Sequence, residues 1–402
     1  MQAKFYRKVL KNGMTIILEK RDVSVVSVAF AVRTGGINEL ASEKGISHFI
    51  EHLLYKGTPN RNAKKIAEEI EKNGGILNGF TDETITSFWC KMPAKHLSLA
   101  LGVLGDMIKN PLFDKKELEK ERKVIFEEIK MDKDNPHLYV LQEIHRYLYK
   151  EPFGMPLIGT PKTLSSLSRE KIVKKFKQIY QPNNLILCVV GNANFRSLVN
   201  FAERNFGKNK GKVPKIKILK HNFSKIEKRK GIDQANMVFA YHAPTSEEKN
   251  SHAAFVLNTL LAGGMSSRLF SEIREKRNLA YSIRGDSIFA KDFAHSIIYV
   301  GTKKENISQV KKIILEEFKK VSKEIPKKEL LQVKEQIIGN YQISIEDSHN
   351  QMLNLLFHEI NGNAKRIYEF EKKIRAVKMK DVKALAGKVK GKNYSFFALV
   401  PK

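Results

Sequence analysis

The sequence predicts an α+β protein of two similar domains, and three observations carry that prediction: its length, a break in composition near its middle, and an order of elements that runs twice. At 402 residues the chain exceeds the roughly 250–300 residues at which a single hydrophobic core stops growing. The stretch GKNKGKVPKIKILKHNFSKIEKRKG, from Gly207 to Gly231, is basic, contains Pro214 and lacks a sustained apolar period. Such a segment reads as a linker. The expected division is a first domain over 1–206, a linker over 207–231 and a second domain over 232–402.

The elements follow from hydrophobic periodicity. In the first half GMTIILEK and SVVSVAFAVRTGG read as strands, about Ser42 to Leu54 and Lys64 to Lys72 as helices, and ILNGFTDETITSFWCKMP as strand again. Helices dominate from Leu97 to about Lys133, and PNNLILCVVGN is a buried strand closed by Gly191. The second half restarts with the strand ANMVFAYHAP, continues with helices in HAAFVLNTLLAG and SRLFSEIREKRN and strands in AYSIRGDSIFA and HSIIYVGT, and ends with two long amphipathic helices and the strand YSFFALVP. The halves share this order with little residue identity, which suggests a duplicated unit.

The formal net charge is +29, which would suit partners bearing phosphates or carboxylates. Most of the excess is lysine alternating with glutamate at helical spacing, as in KKIILEEFKKVSKEI, the pattern of a solvated face. No nucleic-acid module is recognisable, and no nucleic-acid partner is expected. No run approaches the roughly 18–20 apolar residues of a membrane span, and charges break the amino terminus before a signal-type core could form. A soluble, cytoplasmic protein without a membrane partner is the expectation. Cys90 and Cys188 each lie in an apolar strand and outside any CxxC spacing, so buried free thiols are expected.

The chemistry concentrates in ASEKGISHFIEHLLYKGTPN. Ser42 offers a cap, Ile46, Phe49, Ile50, Leu53 and Leu54 form an apolar stripe, and Gly57 with Pro59 supplies a stop. On that helix His48 and His52, four apart, share a face and can reach one ion. Glu51 lies on the same side and can hold a water without being a ligand, the inverted HxxEH order. A catalytic zinc site needs a third protein ligand. The helix in DKKELEKERKVIFEEIKMDKDNP, capped by Asp114 with Glu117 three later, offers Glu121, Glu127 and Glu128. Spacing does not choose among them.

These residues resemble the zinc peptidases of the pitrilysin and insulinase family, in particular its short two-domain bacterial branch related to processing peptidases. GISHFIEHLLYKGT is similar to the family's metal helix. Within ERKVIFEEIKM, Glu128 falls where the family places its third ligand, and Glu121, seven residues earlier, falls on its helper glutamate. NGGILNGFTDETITSFW resembles the family's substrate edge strand, centred on Asn78, Gly79, Phe80 and Thr81. AGGMSSRLFSEIREKRNLAYSI resembles the segment carrying a paired arginine and tyrosine, here Arg274 and Tyr281, with Asn278 where glycine is common.

The resemblance implies two α+β domains per chain, each a mainly antiparallel sheet packed with helices, and a homodimer closing like a clamshell around a chamber. It implies one Zn²⁺ per chain on His48, His52 and Glu128, with Glu51 as general base. The activity implied is that of a metalloendopeptidase acting on short or unfolded peptides. Tyr281 would donate to the oxyanion and Arg274 would grip a substrate carbonyl. In the implied dimer this pair serves the metal of the other subunit.

Overall fold

The computed structural model describes residues 4–402. The chain forms two compact units, and neither is a continuous segment. The first comprises residues up to Ile129, Leu157–Lys217 and Ile343–Ile367; the second comprises Lys130–Pro156, Ile218–Gln342 and Tyr368–Lys402. They differ from the expected segments 1–206 and 232–402 because each half of the sequence gives one helix to the other half's sheet.

The first unit is built on six strands: β1 (Lys4–Val9), β2 (Thr15–Lys20), β3 (Val25–Val32), β4 (Ile76–Thr81), β5 (Thr86–Pro93) and β6 (Leu185–Gly191). Their order is β1-β2-β6-β3-β5-β4, and every pairing is antiparallel except β2 with β6. On one face lie α1 (Ile46–Leu54), α2 (Ala63–Glu71) and α3 (Leu97–Lys109), packed over Val28, Phe30 and Phe88. After α3 comes α4 (Lys115–Asp134), which begins as expected with the Asp114 carboxylate accepting from the Lys116 and Glu117 N–H groups.

The other face is covered by the helix Ser348–Ile360, which packs on β6 and β3. Its buried side joins apolar Met352, Leu355 and Leu356 to polar Ser348, Gln351 and Glu359. The Ser348 hydroxyl meets that of Ser27 at 2.9 Å, and the Gln351 amide donates to the buried Glu19 carboxylate at 2.6 Å. Arg7 and Arg33 both donate to Glu359. Burial would push the Glu359 carboxyl up, but these guanidinium groups and the Ala364 N–H hold it below its ordinary range. This helix explains why LILCVVG is buried along its whole length: strand β6 is covered on both faces.

The second unit repeats the plan. Its strands are β7 (Ser224–Arg229), β8 (Ala235–His242), β9 (Ala280–Phe289), β10 (Ala294–Thr302) and β11 (Ser395–Pro401), in the order β7-β11-β8-β10-β9. The first pair is parallel and the rest antiparallel, matching the succession β2-β6-β3-β5-β4 of the first sheet, which has β1 in addition. The helix Ser251–Ala262 follows β8 as α1 follows β3. Here α5 (Pro136–Leu148), from the first half of the sequence, packs on β11 and β8. Tyr147 stacks on Phe397 at 5.2 Å, and the Ser395 hydroxyl donates to the Tyr147 carbonyl.

The expected linker 207–231 contains β7, whose sequence SKIEKR is too charged to read as a strand. It is strand because parallel pairing with β11 satisfies its backbone. Cys90 and Cys188 are buried free thiols, and burial pushes the Cys90 thiol up to about 12. Among the described residues no helix is long and apolar enough to cross a membrane.

Candidate metal centre

The helix α1 is set by its stripe: Ile46, Phe49, Ile50, Leu53 and Leu54 are each at most 2% exposed, worth about 1.5–3 kcal/mol apiece. Its start differs from the expectation. Ser42 lies in a short 3₁₀ turn, Ala41–Glu43, and the residue before the helix is Gly45 at φ +94°. A Cβ at Gly45 would come within 2.5 Å of the Ile158 carbonyl oxygen, so the chain needs glycine there. The Glu39 carboxylate takes over the capping role, accepting from the N–H groups of Gly45 at 3.1 Å and Ser47 at 2.7 Å.

His48, His52 and Glu128 each offer one ligand atom, all within 4.8 Å of one another. Nε2 of His48 is 3.9 Å and Nε2 of His52 is 3.5 Å from Oε2 of Glu128. These separations exceed ordinary hydrogen bonds and approach the roughly 3.3 Å edge of a tetrahedron with 2.0–2.1 Å metal bonds. Burial, aided by the neighbouring His52, pushes the His48 imidazole down to about 3, leaving it neutral, the form that binds metals. The donor set of two imidazoles and one carboxylate fits zinc.

Glu121 stands behind His52, its Oε2 3.1 Å from Nδ1, the arrangement that fixes the Nε2 of a ligating histidine toward a metal. Lys56, one turn beyond His52, holds Oε1 of Glu121 at 2.7 Å. Of the three carboxylates that spacing left open, Glu127 is exposed, Glu121 supports a histidine, and Glu128 joins the cluster.

Glu51 is 8% exposed. Burial raises its carboxyl above the usual range, opposed by the Thr81 hydroxyl and by His52. Thr81 donates to Oε2 of Glu51 at 2.6 Å. Thr81 and Gly79 face α1 from the edge strand β4, whereas Phe80 faces the opposite way and meets Phe357 at 6.1 Å. Asn78 is exposed, with its Oδ1 accepting from the Gly79 N–H at 2.8 Å. A Cβ at Gly79 would lie 2.5 Å from the Tyr55 hydroxyl and 3.2 Å from Oε1 of Glu51. Glycine therefore lets α1 and β4 approach.

Family profiles match most of the chain. The profile described as insulinase, peptidase family M16, matches residues 15–161, and the profile described as peptidase M16 inactive domain matches 166–337. The uncharacterized zinc protease YmxG of Bacillus subtilis is 31% identical over 98% of both chains. The chain belongs to peptidase family M16. An uncharacterized zinc protease of Rickettsia felis is 31% identical over 86% of this chain and 85% of its own. Among solved structures, a protease from Helicobacter pylori superposes with a TM-score of 0.91 at 22% identity, over 99% of this chain and 100% of its own. The peptidase M16 inactive domain from Pseudomonas fluorescens gives 0.88 at 16%, over 99% and 98%. These likenesses establish the fold.

Two residues that the M16 resemblance singles out belong to the second unit. Arg274 is exposed on the π-helical turn Phe270–Glu275, with its guanidinium 4.9 Å from the Phe270 ring centre. Tyr281 is 49% exposed on β9, an edge strand in the topological place of β4. Its ring crosses Gly301 of β10, where a Cβ would lie 2.5 Å from the hydroxyl. Asn278, where the family often has glycine, adopts φ +51°, the left-handed region that asparagine tolerates. Lys56, Tyr55 and Glu39 were not singled out by sequence reasoning. Lys56 follows His52 by one turn and was legible from spacing; Glu39 was not, because it acts through a turn.

Proposed function

We propose that this M16 chain is a zinc metalloendopeptidase acting on short or unfolded peptides, with one metal held by His48, His52 and Glu128. The observation that carries this reading is the convergence of two imidazoles and a carboxylate within 4.8 Å, with Glu51 immediately before His52 on α1. The names of its relatives support the choice of metal. When bound, zinc supplies Lewis-acid chemistry, acidifying water and polarising a carbonyl.

Glu51 accepts the water's proton on one carboxylate oxygen and delivers it to the leaving amine, a contribution of about 10²–10⁴ in rate. Thr81 orients that carboxylate through its 2.6 Å hydrogen bond. The outer edge of β4, at Asn78, Gly79, Phe80 and Thr81, pairs with the backbone of an extended peptide, so recognition tolerates many sequences. Tyr281 donates to the developing oxyanion and Arg274 holds a substrate carbonyl. In this reading the protein is a cytoplasmic homodimer in which that pair serves the partner's metal.

Metal content measured beside cleavage of a quenched peptide tests the proposal. About one zinc per chain and chelator-sensitive cleavage are expected. Full activity after exhaustive metal removal would refute it.

A further inference from the structure

We propose that Glu39, Lys44 and Glu83 form a buried positioning cluster that locks the metal helix α1 to the β4–β5 hairpin. The inference rests on the function proposed above, because it concerns the spacing between the metal ligands and the strand that pairs with peptide. Lys44 is fully buried, and a buried ammonium persists only when its charge and donors are matched. Its Nζ donates to the Gly36 carbonyl at 3.0 Å and lies 3.8 Å from Glu39 and 3.9 Å from Glu83. It thus joins one carboxylate on the helix side to one on the hairpin side.

On the helix side, Glu39 binds the N–H groups of Gly45 and Ser47, where a negative charge complements the helix dipole. Ser47 directly precedes His48. On the hairpin side, the N–H groups of Gly36 and Ile37 donate to the carbonyls of Asp82 and Glu83 at 3.4 and 2.9 Å. Gly35 and Gly36 permit this contact: a Cβ on either would lie about 2 Å from the Asp82 carbonyl or the Glu83 carboxylate, at 2.0 and 2.1 Å. Residue 81, next to this turn, is the threonine that holds Glu51. The Thr163 hydroxyl closes the set from behind by donating to the Lys44 carbonyl at 2.8 Å.

One ammonium faces two carboxylates. Burial pushes the Glu39 carboxyl up as well, opposed by Lys44 and by the backbone donors of Ser47 and Gly45, whereas Oε2 of Glu83 is buried without a hydrogen bond among the described residues. Burial, with Asp82 and Glu39 adding to it and Lys44 opposing, pushes the Glu83 carboxyl up to about 8. The apolar fold does not need three ionisable groups here. Buried ionic groups fix relative placement in some proteins, and that is the role assigned to this set.

Glu39→Gln, Glu83→Gln and Lys44→Met test the cluster through zinc affinity, KM and kcat on a quenched peptide, and hydrogen exchange of 46–54 and 76–85. Glu39→Gln should weaken zinc by up to about tenfold, the lower end of what losing a ligand's own hydrogen-bond partner costs, because Glu39 acts on His48 only through the helix start at Gly45 and Ser47. Glu83→Gln should leave zinc affinity nearly unchanged but speed exchange in the hairpin and raise KM more than it lowers kcat. Lys44→Met should do both, and Glu39→Asp should restore part of the zinc affinity. If all variants lose only thermal stability, with zinc affinity, KM and hairpin exchange as in the wild type, the cluster merely stabilises the fold and the proposal is overturned. Should Lys44→Met fail to fold, the near-isosteric glutamine variants still decide. Zinc binding and exchange need no turnover, so an inactive wild type would refute the proposed function while the positioning role is still judged.

Discussion

Adding one methyl group at Gly79 should cost activity far more than stability. The new Cβ would lie 2.5 Å from the Tyr55 hydroxyl, 2.9 Å from the Ser87 carbonyl oxygen and 3.2 Å from Oε1 of Glu51. Comfortable contacts begin near ~3.5 Å, so the hydroxyl must retreat by about 1 Å and the Glu51 carboxylate by a few tenths. Neither β5 nor the partly buried ring of Tyr55, packed against the core, yields freely, and overpacking of this kind costs about 1–3 kcal/mol. At roughly 2–4 °C per kcal/mol for a unit of 150–250 residues, melting should fall by about 2–12 °C. Misplacing a proton-transfer group by a fraction of an ångström to 1 Å costs up to about 10²-fold in rate. The assay pairs thermal melting with peptide cleavage and zinc content on Gly79→Ala. Tyr55→Phe provides the control, because the Tyr55 hydroxyl finds no hydrogen-bond partner among the described residues. That change alone should be mild, and in the double variant it should restore part of the lost rate, a coupling that independent sites would not show. Wild-type activity in Gly79→Ala, or a double variant no better than the single, would refute the assigned packing of Glu51 beneath β4.

Glu51→Gln should retain zinc and lose turnover, whereas His52→Ala and Glu128→Gln should lose zinc affinity; equal zinc loss in all three, read by metal analysis, would remove Glu51 as base. Because Glu83 is raised from 4.5 to about 8, the folded state holds a proton that the unfolded chain releases. Stability therefore falls as pH rises from about 4.5 to 8, by at most on the order of 5 kcal/mol. Glu83→Gln should flatten that fall, melting higher relative to wild type at pH 8.5 than at pH 5; parallel curves would contradict the buried, protonated carboxyl. Finally, Glu51→Gln and Tyr281→Phe should each be nearly inactive, yet recover activity when mixed and allowed to exchange subunits. No recovery despite demonstrated exchange would end the shared-site dimer.

Much of the site was legible in the sequence because it is local. His48, Glu51 and His52 lie on one short helix, so spacing alone puts them on one side, and the apolar stripe on the other side fixes which side faces the sheet. The strands were legible for the same reason: LILCVVG and ANMVFAYH are apolar enough to demand burial wherever the chain takes them. The choice of Glu128 over Glu121 and Glu127 was not local. All three sit on α4, and only the packing of α4 against α1 puts Glu121 at Nδ1 of His52 and Glu128 between the two Nε2 atoms. The charged strand β7 and the exchanged helices α5 and Ser348–Ile360 were likewise decided by tertiary structure. Their sequences specify helix or permit strand, but β7 is satisfied by β11 from the far end of the chain, and each helix is buried by the sheet of the other half. The cap of α1 makes the point in one residue: sequence offered Ser42, nearest along the chain, while the fold brought in Glu39, because Gly45 turns the backbone and a carboxylate held by buried Lys44 reaches the helix N–H groups first.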